Sequence, residues 1–154
     1  MYLLYMCLAA LMLLLDYITK WAAASRLAQM RTLAVFEGVF HLTYCENTGA
    51  AFGIFAGKPY LLAAVSCVMI AAVIVYVAIK KPKSHLLMLS LTMIISGGLG
   101  NVIDRVTKGY VVDFFDFRII NFAIFNVADI FVCCGVALLA VYILFTNNKT
   151  EKKI

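Results

Sequence analysis

The chain has 154 residues, of which 65% are hydrophobic and only 14% charged. Soluble domains are nearer half apolar and a quarter charged, so this composition excludes an ordinary soluble fold and indicates one integral membrane domain over 1–154. The formal net charge is +5, but the basic residues flank apolar stretches, which fits membrane lipid and topology and argues against nucleic acid as a partner.

Four apolar spans follow in chain order, over residues 3–24, 60–79, 86–106 and 127–145. Each is near the ~20 residues that cross a ~30 Å hydrocarbon core. Ala22-Ala23-Ala24 resembles a leader cleavage site, but no Lys or Arg precedes the first span and Asp16 and Lys20 interrupt it. It is therefore read as a span. Lys80, Lys81 and Lys83 crowd the loop 80–85, and Lys149, Lys152 and Lys153 crowd the tail. The long loops 25–59 and 107–126 are sparser in such residues. The dense side is expected to be cytoplasmic, with both termini there and both long loops outside.

Within the first outer loop, Val39–Cys45 is rich in β-branched and aromatic residues and reads as a strand. Asn47-Thr48-Gly49 reads as a turn, and 51–55 as a returning strand. A small sheet on the outer surface is expected. The second outer loop carries Tyr110, Phe114, Phe115, Phe117, Phe122 and Phe125. Such a segment is expected to lie in the membrane interface and to serve as a flap.

The polar residues gather at one depth. Asp16 and Lys20 are four apart near the outer end of the first span, a spacing that makes a helix-stabilising pair. Asn101, Asp104 and Arg105 close the third span, where Asp104 with Arg105 reads as an ion pair. Asn126 and Asp129 open the fourth, and Asn126 suits a helix cap. Asn47 and Asp113 lie in the outer loops. Gly97, Gly98 and Gly100 permit close packing of the third span. Carboxylates at membrane depth are costly and mark functional sites.

Other chemistries have weaker support. The five cysteines and the histidines His41 and His85 lack the clustered spacing of a zinc site, so no metal is expected. His41 lies in no nucleophile–base motif, and Cys45 has no activating neighbour in sequence. Two carboxylates in reach of each other share a proton, one taking a proton from water while the other polarises a carbonyl. The same acids could instead form the proton path of a small transporter. A translocation path needs polar groups across the whole membrane, whereas the inner halves of the spans are apolar.

Four blocks in order complete the reading: Asp16-Tyr17-Ile18-Thr19-Lys20; Glu46-Asn47-Thr48-Gly49-Ala50-Ala51-Phe52-Gly53; Gly97 through Arg105 with Val111-Val112-Asp113-Phe114; and Phe125-Asn126-Val127-Ala128-Asp129 with Gly135. Together they resemble the lipoprotein signal peptidase (signal peptidase II) family along the full chain. The resemblance implies an all-α membrane fold of four helices with a small extracytoplasmic β-cradle and an interfacial helix or flap. It implies a catalytic dyad at Asp113 and Asp129. Asn47, Gly49, Asn101, Asp104, Arg105 and Asn126 would line or hold the site, with Asp16 and Lys20 supporting it. It implies a diacylglyceryl prolipoprotein substrate, cut before the lipidated cysteine, no cofactor, and a site near the outer leaflet of a bacterial cytoplasmic membrane. Four spans can enclose such a site in a monomer. Two positions depart from the usual pattern: Ala123-Ile124 where a Pro is common, and Ile130 where a Ser often follows the last aspartate.

Overall fold

The computed structural model describes residues 1–50, 54–120 and 122–151, with side-chain surroundings to residue 145. The order is α1 (Tyr2–Met30), β1 (Thr32–Phe36), β2 (Phe40–Asn47), α2 (Pro59–Lys80), α3 (His85–Lys108), β3 (Val111–Phe117), a short 3-10 turn (Arg118–Ile120) and α4 (Val127–Glu151). The helices α1, α2 and α3 and residues 127–145 of α4 are each long and apolar enough to cross a membrane.

Local chemistry sets the helix limits. Pro59 opens α2, where its missing N–H costs nothing. The Ser84 hydroxyl caps α3 by accepting from the Leu87 N–H, and Gly109 ends it at φ 82°, a conformation that favours glycine.

Helix α3 occupies the centre. Half of its most apolar stretch is buried, against 11–17% for the other three spans, and it packs on α1, α2 and α4. Its glycines explain how. Gly97 abuts α4 at the Ala128 carbonyl and Val132, Gly98 abuts Ile70 of α2, and Gly100 abuts the Asp16 carboxylate of α1. Each small residue thus admits a different helix.

The sheet is three antiparallel strands in the order β1-β2-β3. Gly38, at φ 72°, turns the β1–β2 hairpin. In the β2–β3 register Cys45 lies opposite Asp113 and Asn47 opposite Val111. Val112 and Phe114 point into an apolar core shared with Ala23 and Leu27 of α1. The alternate residues Val111 and Asp113 face a cleft bounded by α2, α3 and α4, because successive strand side chains point to opposite faces.

The expected sheet is present, but its partners differ. Ala51, Phe52 and Gly53 lie outside the described residues. Ile54 and Phe55 are in a turn, and Phe55 has φ 56°, which no strand permits. β2 pairs instead with the upstream segment 32–36 and with 111–117. The aromatic loop is therefore largely β3. Phe114 is buried in the core, and Phe115 is bridged to Phe125. β3 is thus held in the sheet on one side and by Phe125 on the other. An apolar lip of exposed Ile119, Ile120 and Phe122 follows it.

Candidate active site

Asp113 and Asp129 reach the site from different elements. Asp113 is fixed by the flanking core residues of β3 and is 2% exposed. Asp129 stands in the first turn of α4. Between them lies Asn126, which is fully buried. Its Oδ1 accepts from the Asp129 N–H at 3.0 Å, and its own backbone N–H donates to Asp129 Oδ2 at 3.1 Å. This is a reciprocal helix cap. The remaining polar atom, Nδ2, donates to Asp113 Oδ1 at 2.6 Å and to Asn101 Oδ1 at 3.2 Å.

One rule orients the asparagines of the site, Asn47, Asn101 and Asn126. Where a donor occupies the amide oxygen, the amide nitrogen must face an acceptor. The Gly49 N–H donates to Asn47 Oδ1 at 2.9 Å, closing the expected turn, and Asn47 Nδ2 donates to Asp113 Oδ2 at 2.8 Å. Lys20 Nζ donates to Asn101 Oδ1 at 3.0 Å, and Asn101 Nδ2 donates to Asp129 Oδ1 at 2.8 Å. Asn126 follows the same pattern. Three amides thereby aim N–H groups at two carboxylates.

Around them lies a buried ionic cluster. Lys20 Nζ is 2.8 Å from Asp16 Oδ2 and 3.2 Å from Asp104 Oδ2. Both Lys20 and Asp16 are under 5% exposed. Asp16 Oδ1 also accepts from the Ala128 N–H at 3.0 Å, so a residue of α1 helps cap α4. The Asp16–Lys20 pair is thus more than a helix-surface contact. Asp104 does not pair with Arg105; it binds Lys108 at 2.7 Å as well as Lys20. Adjacent helix residues point in different directions, and Arg105 turns the other way to donate to the Gly49 carbonyl at 2.9 Å. Its Nε is buried without a partner among the described residues.

The acids open on a cleft of about 740 Å³. α3 forms its floor, and α2 and α4 its walls. Asn47, Asn101, Arg105, Asp113 and Asp129 line one end; Val65, Met69, Ile70, Val73, Val132 and Val136 line the rest. Ile130, Ala123 and Ile124, the departures from the usual pattern, line it too. The site is thus an amphipathic slot, polar where the carboxylates are and apolar along the helices.

Burial raises the Asp113 carboxyl to about 6, with the Asp129 charge adding to the rise and the Asn47 and Asn126 hydrogen bonds opposing it. Up to about pH 6 the two acids can therefore hold one proton between them. Burial, followed by the charges of Asp113, Glu46 and Asp116, lifts the Cys45 thiol above its ordinary value. That suppresses the thiolate a nucleophile requires. His41 is buried in the sheet with Nε2 accepting from the Gly38 N–H at 3.3 Å, outside the site. Among the described residues no group of three or more His, Cys, Asp or Glu could hold a metal ion.

The ten residues singled out in the sequence thus form one connected assembly. What sequence reasoning did not supply is the Asp16 bond to α4, the Lys108 partner of Asp104, and the apolar cleft wall. The one local signal for the first is Gly100, whose missing side chain makes room for the Asp16 carboxylate.

Four spans, a small sheet and buried carboxylates opening on a lateral apolar cleft define a polytopic membrane protein with a hydrolase-like polar site. Residues 8–145 match the model of the signal peptidase (SPase) II family. The lipoprotein signal peptidase of Clostridium acetobutylicum is 41% identical over 145 residues, covering 92% of this chain and 94% of that one. Its counterpart in Clostridioides difficile is 40% identical over 149 residues, covering 96% and 99%. A bacterial membrane enzyme solved by the in meso method at 2.3 Å resolution aligns with a TM-score of 0.84 and 29% identity, covering 97% of this chain and 93% of that one. The chain belongs to the signal peptidase II family and is a peptidase of the membrane.

Proposed function

We propose that this chain is an aspartic endopeptidase that cuts diacylglyceryl prolipoproteins on the amino side of the lipidated cysteine. Asp113 and Asp129 form the dyad. The observation that carries this reading is Asn126, which bonds both acids at once and leaves each facing the cleft.

In the proposed reaction Asp113 carries the shared proton and Asp129 is ionised. Asp129 takes a proton from water as the water oxygen bonds to the scissile carbonyl carbon. Asp113 gives its proton to the carbonyl oxygen, forming a gem-diol. Collapse of the diol breaks the C–N bond. The nitrogen takes a proton from Asp129, and a diol hydroxyl returns one to Asp113. The products are a carboxylic acid and the amine of the lipidated cysteine, which exchange a proton to leave as carboxylate and ammonium. Asn47, Asn101 and Asn126 hold the carboxylates in register, with Gly49 fixing Asn47. Lys20 polarises Asn101, with Asp16 and Asp104 neutralising its charge. The unpartnered Arg105 Nε supplies a donor for the substrate backbone. No cofactor takes part in this scheme.

The apolar arm of the cleft suits a substrate that enters sideways from lipid. A single chain contains the whole site, which supports a monomer. The orientation follows from the Lys-rich loop 80–85 and tail: both termini cytoplasmic, and the dyad near the outer leaflet of the bacterial cytoplasmic membrane, within one domain.

The test is cleavage of a diacylglyceryl-cysteine prolipoprotein by purified protein in detergent. Wild type is expected to cut before the cysteine, and Asp113→Asn and Asp129→Asn to be inactive while folded. Activity surviving in either variant would break the dyad.

A further inference from the structure

Among the described residues, helix α2 has its one close helix packing against α3. A groove separates it from each of the other two neighbours. One groove is the carboxylate-ended cleft. The second, of about 420 Å³, lies between α1 and α2 with α3 as its floor. That volume is within the ~300–1,000 Å³ of small-molecule sites. Its walls are apolar, including Met6 and Ala9 of α1, Val77 and Ala78 of α2, and Leu91 of α3.

The second groove ends on positive charge. Lys81 lines it, just past the end of α2, in the left-handed conformation at φ 44° and ψ 55°. Non-glycine residues seldom adopt this backbone, which stops α2 and turns the chain at the groove rim. Lys80 and Lys83 flank it, and all three are exposed. The sequence has no acid between Lys58 and Asp104, and among the described residues none of the three lysines makes a salt bridge. Beside them the Tyr5 hydroxyl is 3.0 Å from His85 Nδ1 and donates to the His85 carbonyl at 3.2 Å. That contact ties α1 to the groove floor, α3, at this end.

We infer that this groove is a binding site for an anionic glycerophospholipid of the leaflet at the Lys81 end. One acyl chain lies along the apolar walls between α1 and α2. The phosphate sits at Lys81, with Lys80 and Lys83 adding attraction, as basic pockets between membrane helices do for lipid headgroups. The occupant braces α2 from the side opposite the carboxylate cleft. The inference rests on the membrane fold and not on the dyad.

Native mass spectrometry of the full chain in detergent, titrated with phosphatidylglycerol or phosphatidylcholine, tests it. Wild type is expected to retain one phosphatidylglycerol in clear preference to phosphatidylcholine. Lys81→Gln is expected to cut that preference about fivefold, the effect of one surface lysine. Ala9→Phe fills the groove and is expected to abolish retention while the melting temperature holds. A wild type that keeps the two lipids alike overturns the inference, as does a Lys81→Gln variant with wild-type preference. Undiminished retention in folded Ala9→Phe overturns it too. If Ala9→Phe does not fold, the Lys81→Gln comparison decides alone.

Discussion

Lys20 of α1 and Asp129 of α4 are one amide apart: the ammonium donates to Asn101 Oδ1 at 3.0 Å, and the same amide donates to Asp129 Oδ1 at 2.8 Å. The charge on one helix thus fixes which way Asn101 points, and Asn101 fixes the carboxylate on another. Removing that donor is expected to matter more than removing bulk. Asn101→Leu should lower kcat by roughly 10²–10³, the usual cost of one well-placed donor in a dry site, with a smaller change in KM. Steady-state cleavage with the two constants separated checks this. A change confined to KM would assign Asn101 to substrate binding instead.

Asn126 serves both the helix and the dyad, and the two roles separate by substitution. Asn126→Ala loses the cap and should cost about 0.5–2 kcal/mol of stability. Asn126→Ser retains a capping oxygen for the Asp129 N–H but cannot reach Asp113 Oδ1. It is expected to melt close to wild type and to cleave far more slowly. Thermal unfolding in detergent beside a cleavage assay gives both readings.

The ring of polar residues was legible because each sits at the same end of a span. Asp16 and Lys20 close to the end of the first, Asn101 through Arg105 at the end of the third, and Asn126 and Asp129 at the start of the fourth converge once the spans are antiparallel. Strand pairing was less legible. Residues 111–117 alternate Val111, Asp113, Phe115 against Val112, Phe114, Asp116, yet the aromatic content drew attention to the interface and away from that period of two. The Asp104–Arg105 pairing failed because neighbours in sequence diverge on a helix. The partners Lys20 and Lys108 are an interhelix contact and an i,i+4 contact. The former is set by packing, which no local pattern encodes.

The elevated Asp113 carboxyl makes a signed pH prediction. Its ordinary value is 3.8 and burial raises it to about 6. The folded state therefore favours the protonated form. Its contribution to stability is fully present below pH 3.8 and is lost as pH rises toward 6. Asp113→Asn cannot lose a proton there. Melting temperatures measured between pH 4 and pH 7 are expected to show the variant gaining on wild type as pH rises, against the 3.8 to 6 window. In wild type, kcat/KM is expected to fall as pH climbs above about 6, where the shared proton leaves. A substrate that excludes water should move this limb upward in kcat. A flat difference between the two proteins would place the titration elsewhere.

Two glycines of α3 separated by one residue are expected to respond very differently to alanine. A methyl at Gly98 meets Ile70 Cδ1 at 3.0 Å, the free end of a side chain that can rotate aside. A methyl at Gly100 strikes the Asp16 carboxylate. That carboxylate cannot retreat freely, because it holds Lys20 at 2.8 Å and the Ala128 N–H at 3.0 Å. Pushing it away leaves a buried ammonium short of one partner and uncaps the turn that carries Asp129. Disrupting a buried pair costs about 3–5 kcal/mol when a partner is lost outright. Gly100→Ala is therefore expected to lower the melting temperature sharply and to abolish cleavage, while Gly98→Ala stays near wild type in both. Comparable losses in the two variants would mean that α3 tolerates no added volume anywhere, and that the Asp16 contact has no special weight in building the site.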